Sequence, residues 1–214
     1  MTGARPVRAV LFDLDGTLVD SEIHTDQSIS GVLAQYGLED FRLPHTETQG
    51  RTWIYIADKI RARTKIDRSS TVIAADLLAH WNDVATDVKP IPGAAEAVRA
   101  AAARHLKLGV VSSSPRSVID SFLDKLGVSD CIDRRARIGG DAVINTKPDP
   151  EGYLLAARAL DVDPTETLVF EDSRAGLLAA RTAGTRSVAA PSCASDIAPK
   201  SGRETRELLT RTAN

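Results

Sequence analysis

Short apolar segments alternate with amphipathic segments through most of the chain. The apolar segments end abruptly in polar residues, as buried strands do, and they cover 7–12, 106–111, 167–170 and, more weakly, 186–190. Helical stretches are predicted between them, over 94–105, 116–126, 150–160 and 174–183. Because strands that alternate with helices of about a dozen residues form βαβ units, we predict an α/β fold, with a Rossmann-like parallel sheet core and helices on both faces.

Residues 21–90 interrupt this alternation. Apolar residues recur there at helical spacing in three stripes, which contain Ile29, Val32, Leu33 and Tyr36, then Trp53, Ile56 and Ile60, then Ile73, Leu77, Trp81 and Val84. No clear strand is evident among them, and a KPIPG turn at 89–93 follows. We therefore predict an all-helical insert over 21–90, within a discontinuous core made of 1–20 and 91–214.

Composition narrows the class of protein. The 214 residues include 27 basic and 29 acidic side chains, and aromatic residues make up only 4%. Neither a basic surface nor a stacking platform for nucleic acid is expected from these values. No apolar run approaches the length of a membrane span, and Asp13 and Asp15 interrupt the apolar stretch that a signal peptide would need. We expect a cytoplasmic protein, a monomer or weak homo-oligomer, with no nucleic-acid or membrane partner.

The first candidate motif is Asp13-Leu14-Asp15-Gly16-Thr17, directly after the first predicted strand. Residues two apart on an extended segment share a face, and ligands bind at the carboxyl ends of the strands in an open parallel sheet. We therefore expect the two carboxylates to face one crevice, where they need a cation, a proton or hydrogen-bond donors. A solvated acidic turn is the alternative for an isolated DxD, but the full DxDGT pattern is much more specific.

Hydroxyl and basic residues follow later elements. Ser112, Ser113 and Ser114 come after a predicted strand and before a helix, where hydroxyl and backbone N–H groups bind an anion or cap the helix. Lys147 lies in a TKPDP segment whose prolines stiffen the backbone. It is either a compact charge for a phosphate or an ordinary exposed lysine.

Two adjacent acids, Glu171 and Asp172, end the predicted strand 167–170. Carboxylate oxygens suit Mg²⁺, a hard cation, whereas an acidic helix N-terminus is the alternative. Each motif alone has such an alternative. Together, in this order and at the ends of predicted strands, they favour a functional site.

With these motifs in place, the chain resembles the haloacid dehalogenase superfamily from Val7 to about Ala190. The helical insert resembles its class I cap, and the TKPDP and FEDSRAG segments resemble those of the β-phosphoglucomutase-like phosphatase branch. The resemblance implies a Mg²⁺-dependent phosphoric monoester hydrolase. Its partner would be a small phosphorylated metabolite, expected to be a sugar or polyol phosphate, with the insert acting as a lid.

The resemblance also implies roles in phosphoryl transfer. Asp13 would be the nucleophile that forms an aspartyl-phosphate, and Asp15 would be the general acid/base. Ser112 would hold the transferring phosphoryl group by its hydroxyl, with help from the backbone N–H of Ser113. Lys147 would bridge Asp13 and the phosphate.

The same resemblance implies a set of metal ligands. Mg²⁺ would be held by the Asp13 carboxylate, the Asp15 carbonyl and Asp172, with Glu171 orienting the waters of the ion. Because these residues and Lys147 are intact, a non-catalytic binding module of the same fold is not expected.

The segment Gln49-Gly50-Arg51-Thr52 lies between two predicted helices and is either a specificity loop or an ordinary turn. Arg51 and Arg116, which follows the serines, are candidate substrate-binding residues. The alternative activity is that of a β-phosphoglucomutase-type phosphosugar mutase. Mutases of this branch carry a cap arginine for the second phosphate where Trp53 stands here, so we expect hydrolysis.

Overall fold

A parallel sheet forms the centre of the protein. The computed structural model describes residues 5–190, so residues 1–4 and 191–214 of the predicted core lie outside the described residues. The strands of the sheet are β1 (Ala9–Phe12), β4 (Lys107–Val111), β5 (Arg137–Ile138), β6 (Thr167–Glu171) and β7 (Arg186–Ala189). They lie in the order β5-β4-β1-β6-β7, and each neighbouring pair is parallel. The predicted α/β fold is confirmed.

Helices cover both faces of this sheet. They are α4 (Ala94–Ala102), α5 (Arg116–Lys125), α6 (Glu151–Ala159) and α7 (Arg174–Thr182). Because successive side chains of a strand point to opposite faces, β1 serves both layers: Val10 and Phe12 pack in the cluster with α4 and α5, and Ala9 and Leu11 in the cluster with α6 and α7. Within residues 5–190, no helix is both long enough and apolar enough to cross a bilayer.

Three α-helices form most of the insert between the first strand and α4. They are α1 (Glu22–Gln35), α2 (Trp53–Arg63) and α3 (Ser70–Val84), and Thr52 and Ser69 cap the last two by accepting backbone N–H bonds. The predicted stripes meet in a separate cluster made of Ile29, Val32, Leu33, Ile56, Ala57, Ile60, Ile73 and Leu77. Trp81 packs instead against the main core, edge-on to Phe122.

A short antiparallel pair carries the chain into and out of the insert. It consists of β2 (Val19–Asp20) and β3 (Lys89–Pro90), which the sequence did not reveal because each strand has only two residues. Strand β5 was missed for a similar reason. It contains Arg137, whose buried guanidinium bonds Asp120 at 2.8 Å and the Ser129 carbonyl at 2.6 Å, so no apolar run marks the strand.

Candidate active site

The ends of three neighbouring strands meet at one edge of the sheet. Strand β1 lies between β4 and β6, and Phe12 pairs with Val110 on one side and Phe170 on the other. The polar residues that follow these strands therefore come together, as expected for the carboxyl edge of an open parallel sheet.

Lys147 forms the centre of a buried ion cluster at this edge. Its Nζ lies 2.5 Å from Oδ1 of Asp13, 2.7 Å from Oε2 of Glu171 and 3.1 Å from the Val111 carbonyl. Burial by itself lowers the pKa of Lys147, but the two carboxylates outweigh it, so the pKa is raised well above its usual value. Both carboxylates thus favour the charged form of Lys147 beside Asp13.

Glu171 is held by donors on both of its carboxylate oxygens. Its Oε2 accepts from Lys147 and from the Tyr153 hydroxyl at 2.5 Å, and its Oε1 accepts from the backbone N–H and hydroxyl of Ser173 at 3.1 and 2.7 Å. The side chain is completely buried. This network holds the Glu171 carboxylate against Lys147.

Three serine hydroxyls hold Asp15. Ser21 donates to Oδ1 at 2.7 Å, and Ser112 and Ser114 donate to Oδ2 at 3.0 and 2.8 Å. The hydroxyl of Ser112 also accepts from the backbone N–H of Ser114 at 2.9 Å. The serines after β4 therefore lie directly beside the second carboxylate of the DxDGT motif.

A group of three carboxylates has the chemistry of a cation site. One oxygen each of Asp13, Glu171 and Asp172 lies within 4.8 Å of the others. Burial, with the negative charges of Glu171 and Asp172, raises the pKa of Asp13 well above its usual value despite Lys147. Burial and the charge of Glu171 raise the pKa of Asp172 to about 8. Such a set of oxygen ligands suits a hard divalent cation, which would remove this repulsion.

Gly16 is required for this close approach. Its φ is +79°, and a Cβ on it would lie 2.0 Å from Oδ2 of Asp172. Only glycine meets both conditions, since other residues disfavour this φ and would collide with the carboxylate. The glycine of DxDGT thus lets the loop after β1 contact the residue after β6.

A strap from the insert, defined as residues 49–51, lies against this edge. Nε2 of Gln49 donates to Oδ2 of Asp172 at 3.0 Å and to Oε1 of Glu22, in α1, at 2.7 Å. One amide therefore joins the insert to the acid at the end of β6.

The rest of the strap bonds the core through backbone carbonyls. The Ser113 hydroxyl donates to the Gly50 carbonyl at 2.8 Å, and the Arg51 guanidinium donates to the Lys147 carbonyl at 2.6 Å. The guanidinium also stacks over the Tyr55 ring, 4.5 Å from its centroid. The strap is thus docked onto the loops that carry Ser113 and Lys147.

A cleft lies between the sheet edge and the insert, with about 630 Å³ of space including the part open to solvent. Asp13, Asp15, Ser113 and Ser114 line its sheet side. The insert contributes three apolar side chains, Trp53, Ile56 and Trp81. Its polar side chains in the cleft are Glu22, Thr25, Asp26, His45, Thr48, Gln49 and Arg51. The site is therefore shared between core and insert.

Comparison of the sequence with models of protein families identifies its family. A model of the haloacid dehalogenase-like hydrolases matches residues 10–190. The chain belongs to this family. The resemblance expected from the motifs is confirmed.

Named relatives lie in the same family. This haloacid dehalogenase-like hydrolase is 34% identical over 185 residues to validoxylamine A 7'-phosphate phosphatase of Streptomyces hygroscopicus subsp. limoneus, covering 83% of the chain and 82% of that protein. It is 30% identical over 196 residues to hexitol phosphatase B of Escherichia coli (strain K12), covering 89% and 86%. The predicted enzyme class, a phosphoric monoester hydrolase, is confirmed.

Solved structures show the same architecture. CbbY from Rhodobacter sphaeroides, in complex with phosphate, superposes with a TM-score of 0.74 at 25% identity, over 90% of each chain. The parallel sheet and its helices are thus the fold of this hydrolase family.

Most predicted site residues meet in this hydrolase, but Arg116 does not reach the cleft. Its guanidinium bonds Asp120 one turn along α5, at 3.1 and 3.2 Å, and the Arg137 carbonyl at 2.9 Å. In contrast, Arg51 does line the cleft. The structure therefore brings one of the two predicted substrate-binding arginines to the site.

Some contacts of the site could not be predicted from the sequence. Tyr153 and Ser21, which no motif indicated, reach Glu171 and Asp15 only after the chain has folded. Gln49 and Ser114 lie in segments that the sequence did indicate, but their contacts with Asp172 and Asp15 were not predicted. Ser173 is the exception. It follows the two acids directly and begins α7, so an N-cap serine was recognisable there.

Proposed function

We propose that this hydrolase is a Mg²⁺-dependent phosphatase of small sugar or polyol phosphates, which acts through an aspartyl-phosphate on Asp13. The observation that carries the proposal is the Asp13–Lys147 pair. This pair is buried on the core side of the cleft. Asp13 and Asp15, which are two residues apart, both line the cleft.

Asp13 is the nucleophile in this proposal. Lys147 holds Oδ1, and attack by Oδ2 on the phosphorus forms the aspartyl-phosphate while the alcohol oxygen of the substrate leaves. A carboxylate nucleophile divides the hydrolysis into two steps. Phosphoryl transfer depends chiefly on positioning and on neutralisation of charge, and the cation of Lys147 supplies part of both.

Asp15 serves as the general acid/base. It protonates the leaving alcohol in the first step, and in the second it takes a proton from the water that attacks phosphorus. The second step restores the Asp13 carboxylate and releases inorganic phosphate. The hydroxyls of Ser21, Ser112 and Ser114 hold Asp15 in place for both transfers.

The acidic group fits Mg²⁺. The carboxylates of Asp13 and Asp172, with the Asp15 carbonyl, would hold the ion. When bound, it would neutralise charge on the phosphoryl oxygens. Glu171 acts chiefly through Lys147, because protein donors already occupy both of its oxygens, and any contact it makes with waters of the ion is additional.

The insert is the lid in this proposal. The predicted boundaries of residues 21–90 fall at β2 and β3, the antiparallel pair that links the insert to the core. The strap docks on Asp172, Ser113 and Lys147. A lid of this kind excludes water and completes the site when it closes.

The lining of the cleft supports a sugar or polyol phosphate. Trp53, Ile56 and Trp81 give an apolar wall beside polar groups, as binding sites for small molecules usually have. The two relatives, whose names give a validoxylamine phosphate and a hexitol phosphate, point to the same class. The mutase alternative is not favoured, since Trp53 begins α2 at the expected clamp position and Arg51 bonds the Lys147 carbonyl.

The proposal is tested by phosphate release from a panel of phosphomonoesters, with Mg²⁺ and with a chelator. We expect release that requires Mg²⁺ and is lost in Asp13→Asn, whose amide cannot form the acyl-phosphate. Release unaffected by the chelator or by Asp13→Asn would overturn the proposal. With β-glucose 1-phosphate and a trace of the 1,6-bisphosphate, formation of glucose 6-phosphate faster than phosphate release would favour the mutase.

A further inference from the structure

The three acids of the cation site differ in what holds them. Asp13 and Glu171 both accept a hydrogen bond from Lys147, which belongs to the core. Among the residues that the structure describes, the one hydrogen-bond donor to Asp172 is the side-chain amide of Gln49, and Gln49 belongs to the insert. The third carboxylate of the site therefore takes its hydrogen bond from the strap and not from the core.

Two acids fix the orientation of the Gln49 amide. Its Nε2 donates to Oε1 of Glu22 at 2.7 Å and to Oδ2 of Asp172 at 3.0 Å. Ionised carboxylates accept hydrogen bonds and cannot donate them, so both contacts require the nitrogen of the amide and not its oxygen. Because Glu22 begins α1, the insert itself anchors the amide that reaches Asp172.

The contact with Gln49 is compatible with a metal on the same carboxylate. The amide bonds Oδ2 of Asp172, and no hydrogen bond within residues 5–190 uses Oδ1, so one oxygen is left for an ion. Burial and Glu171 raise the pKa of Asp172, whereas the hydrogen bond from Gln49 lowers it. A donor that orients a carboxylate and favours its charge also strengthens its binding to a metal.

We propose that Gln49 is a positioning residue for the metal, which holds Asp172 in place as a ligand when the strap is docked, so that Mg²⁺ binding and docking of the strap strengthen each other. This inference rests on the Mg²⁺ site of the proposed function. Coupling between two such events is reciprocal. Loss of the amide should therefore weaken Mg²⁺ binding, and Mg²⁺ should hold the strap more firmly against the core.

The first consequence is tested by calorimetric titration of the substrate-free protein with Mg²⁺. Gln49→Met keeps the length of the side chain and removes both N–H donors, so Kd for Mg²⁺ should rise by about tenfold or more. Gln35→Met, at the exposed end of α1, should leave Kd unchanged. The titration is made at about pH 9, above the pKa of Asp172 of about 8, so that release of a proton from Asp172 contributes little.

The second consequence is tested by hydrogen–deuterium exchange, without substrate. In the unaltered protein, saturating Mg²⁺ should slow exchange in residues 45–52, which include the strap, by about fivefold or more. Exchange in residues 64–69, the loop between α2 and α3, should not change. In Gln49→Met, Mg²⁺ should no longer slow exchange of residues 45–52, because the contact that joins the strap to Asp172 is gone.

A Kd in Gln49→Met equal to that of the unaltered protein would overturn the inference, and a lower Kd would show that the amide competes with the ion for Asp172. Exchange of residues 45–52 that ignores Mg²⁺ in the unaltered protein would overturn it without any variant, as would equal slowing in residues 64–69. If the unaltered protein binds no Mg²⁺, the proposed Mg²⁺ site itself fails and this inference falls with it. Neither measurement involves turnover, so phosphate release is judged separately.

Discussion

The ammonium of Lys147 lies 2.5 Å from the Asp13 carboxylate, although the two residues are 134 positions apart in the chain. Their side chains are 6% and 5% exposed. Removing one partner of so well buried a pair leaves the other without compensation, so the pair governs both the stability and the chemistry of the site.

Removal of the lysine should destabilise the protein. Lys147→Ala leaves Asp13 and Glu171 without their cation, and breaking a buried ion pair costs about 3–5 kcal/mol. Urea unfolding in a chelator measures this free energy. Lys65→Ala, at an exposed position of the insert, should change it by less than about 0.5 kcal/mol. Equal effects of the two variants would contradict the assignment.

The docking of the strap can be tested with two glycines of similar conformation. Gly50 and Gly37 have φ of +67° and +72°, but a Cβ on Gly50 would lie 2.4 Å from the Ser173 hydroxyl, whereas one on Gly37 meets no atom within 4 Å. Both alanine variants should lose about 1–2 kcal/mol of stability to backbone strain. Only Gly50→Ala should also lose about tenfold or more in kcat/KM. Equal activities would show that the docked strap is not needed for turnover.

Stabilisation by Mg²⁺ should depend on pH. The pKa of Asp172 is raised to about 8 in the folded protein without metal, and that of an unfolded aspartate is about 3.9. The folded state thus binds the extra proton, so the stability from this carboxyl is fully present below about pH 4 and is lost as the pH rises through about 8.

Because Mg²⁺ must displace this proton, the increase in Tm on adding Mg²⁺ should be larger at about pH 8.5 than at about pH 6.5. Asp172→Asn should remove most of the increase, and Asp67→Asn, which is exposed, should retain it. An increase in Tm that is the same at both pH values would contradict the role of Asp172.

Replacement of Asp15, the second acid of DxDGT, should impair turnover without removing the effect of Mg²⁺ on Tm. Asp15→Asn keeps the backbone carbonyl but removes the acid/base, which is worth about 10²–10⁴-fold in rate. Turnover should fall by that factor while the increase in Tm with Mg²⁺ persists. A variant that loses the Mg²⁺ effect yet turns over normally at saturating Mg²⁺ would show that the Asp15 side chain is a ligand instead.

The strands that carry the motifs were predictable from the sequence, and β5 was not. Strands β1, β4 and β6 are buried on both faces, so each appears as an apolar run that stops at a polar turn. Strand β5 consists of Arg137 and Ile138, and the arginine is tolerated because Asp120 and backbone carbonyls pair with it. That pairing is tertiary and leaves no periodic pattern.

The residues of the site, like the strands, divide into those that the sequence predicted and those that it did not. Asp13, Ser112 and Asp172 stand at strand ends, where sequence position alone indicates the ligand-binding edge. The contacts of Gln49 and Tyr153 with the acids could not be predicted. Gln49 reaches Asp172 across 123 positions of the chain, and Tyr153 fits the pattern of a buried core residue of α6. Only the packing of the insert and of α6 on the sheet brings them to the acids.

The central claim is that a covalent phosphoryl group forms on Asp13. It is tested by mixing enzyme with excess substrate and Mg²⁺, quenching in acid within the first turnovers, and mapping the phosphorylated peptide by mass spectrometry. The account predicts an acid-stable, alkali-labile phosphoryl group on the peptide that contains Asp13, which is absent in Asp13→Asn and accumulates in Asp15→Asn if water attack is the slower step there. Turnover with no phosphorylated peptide at any quench time, or a phosphoryl group on another residue, would contradict it.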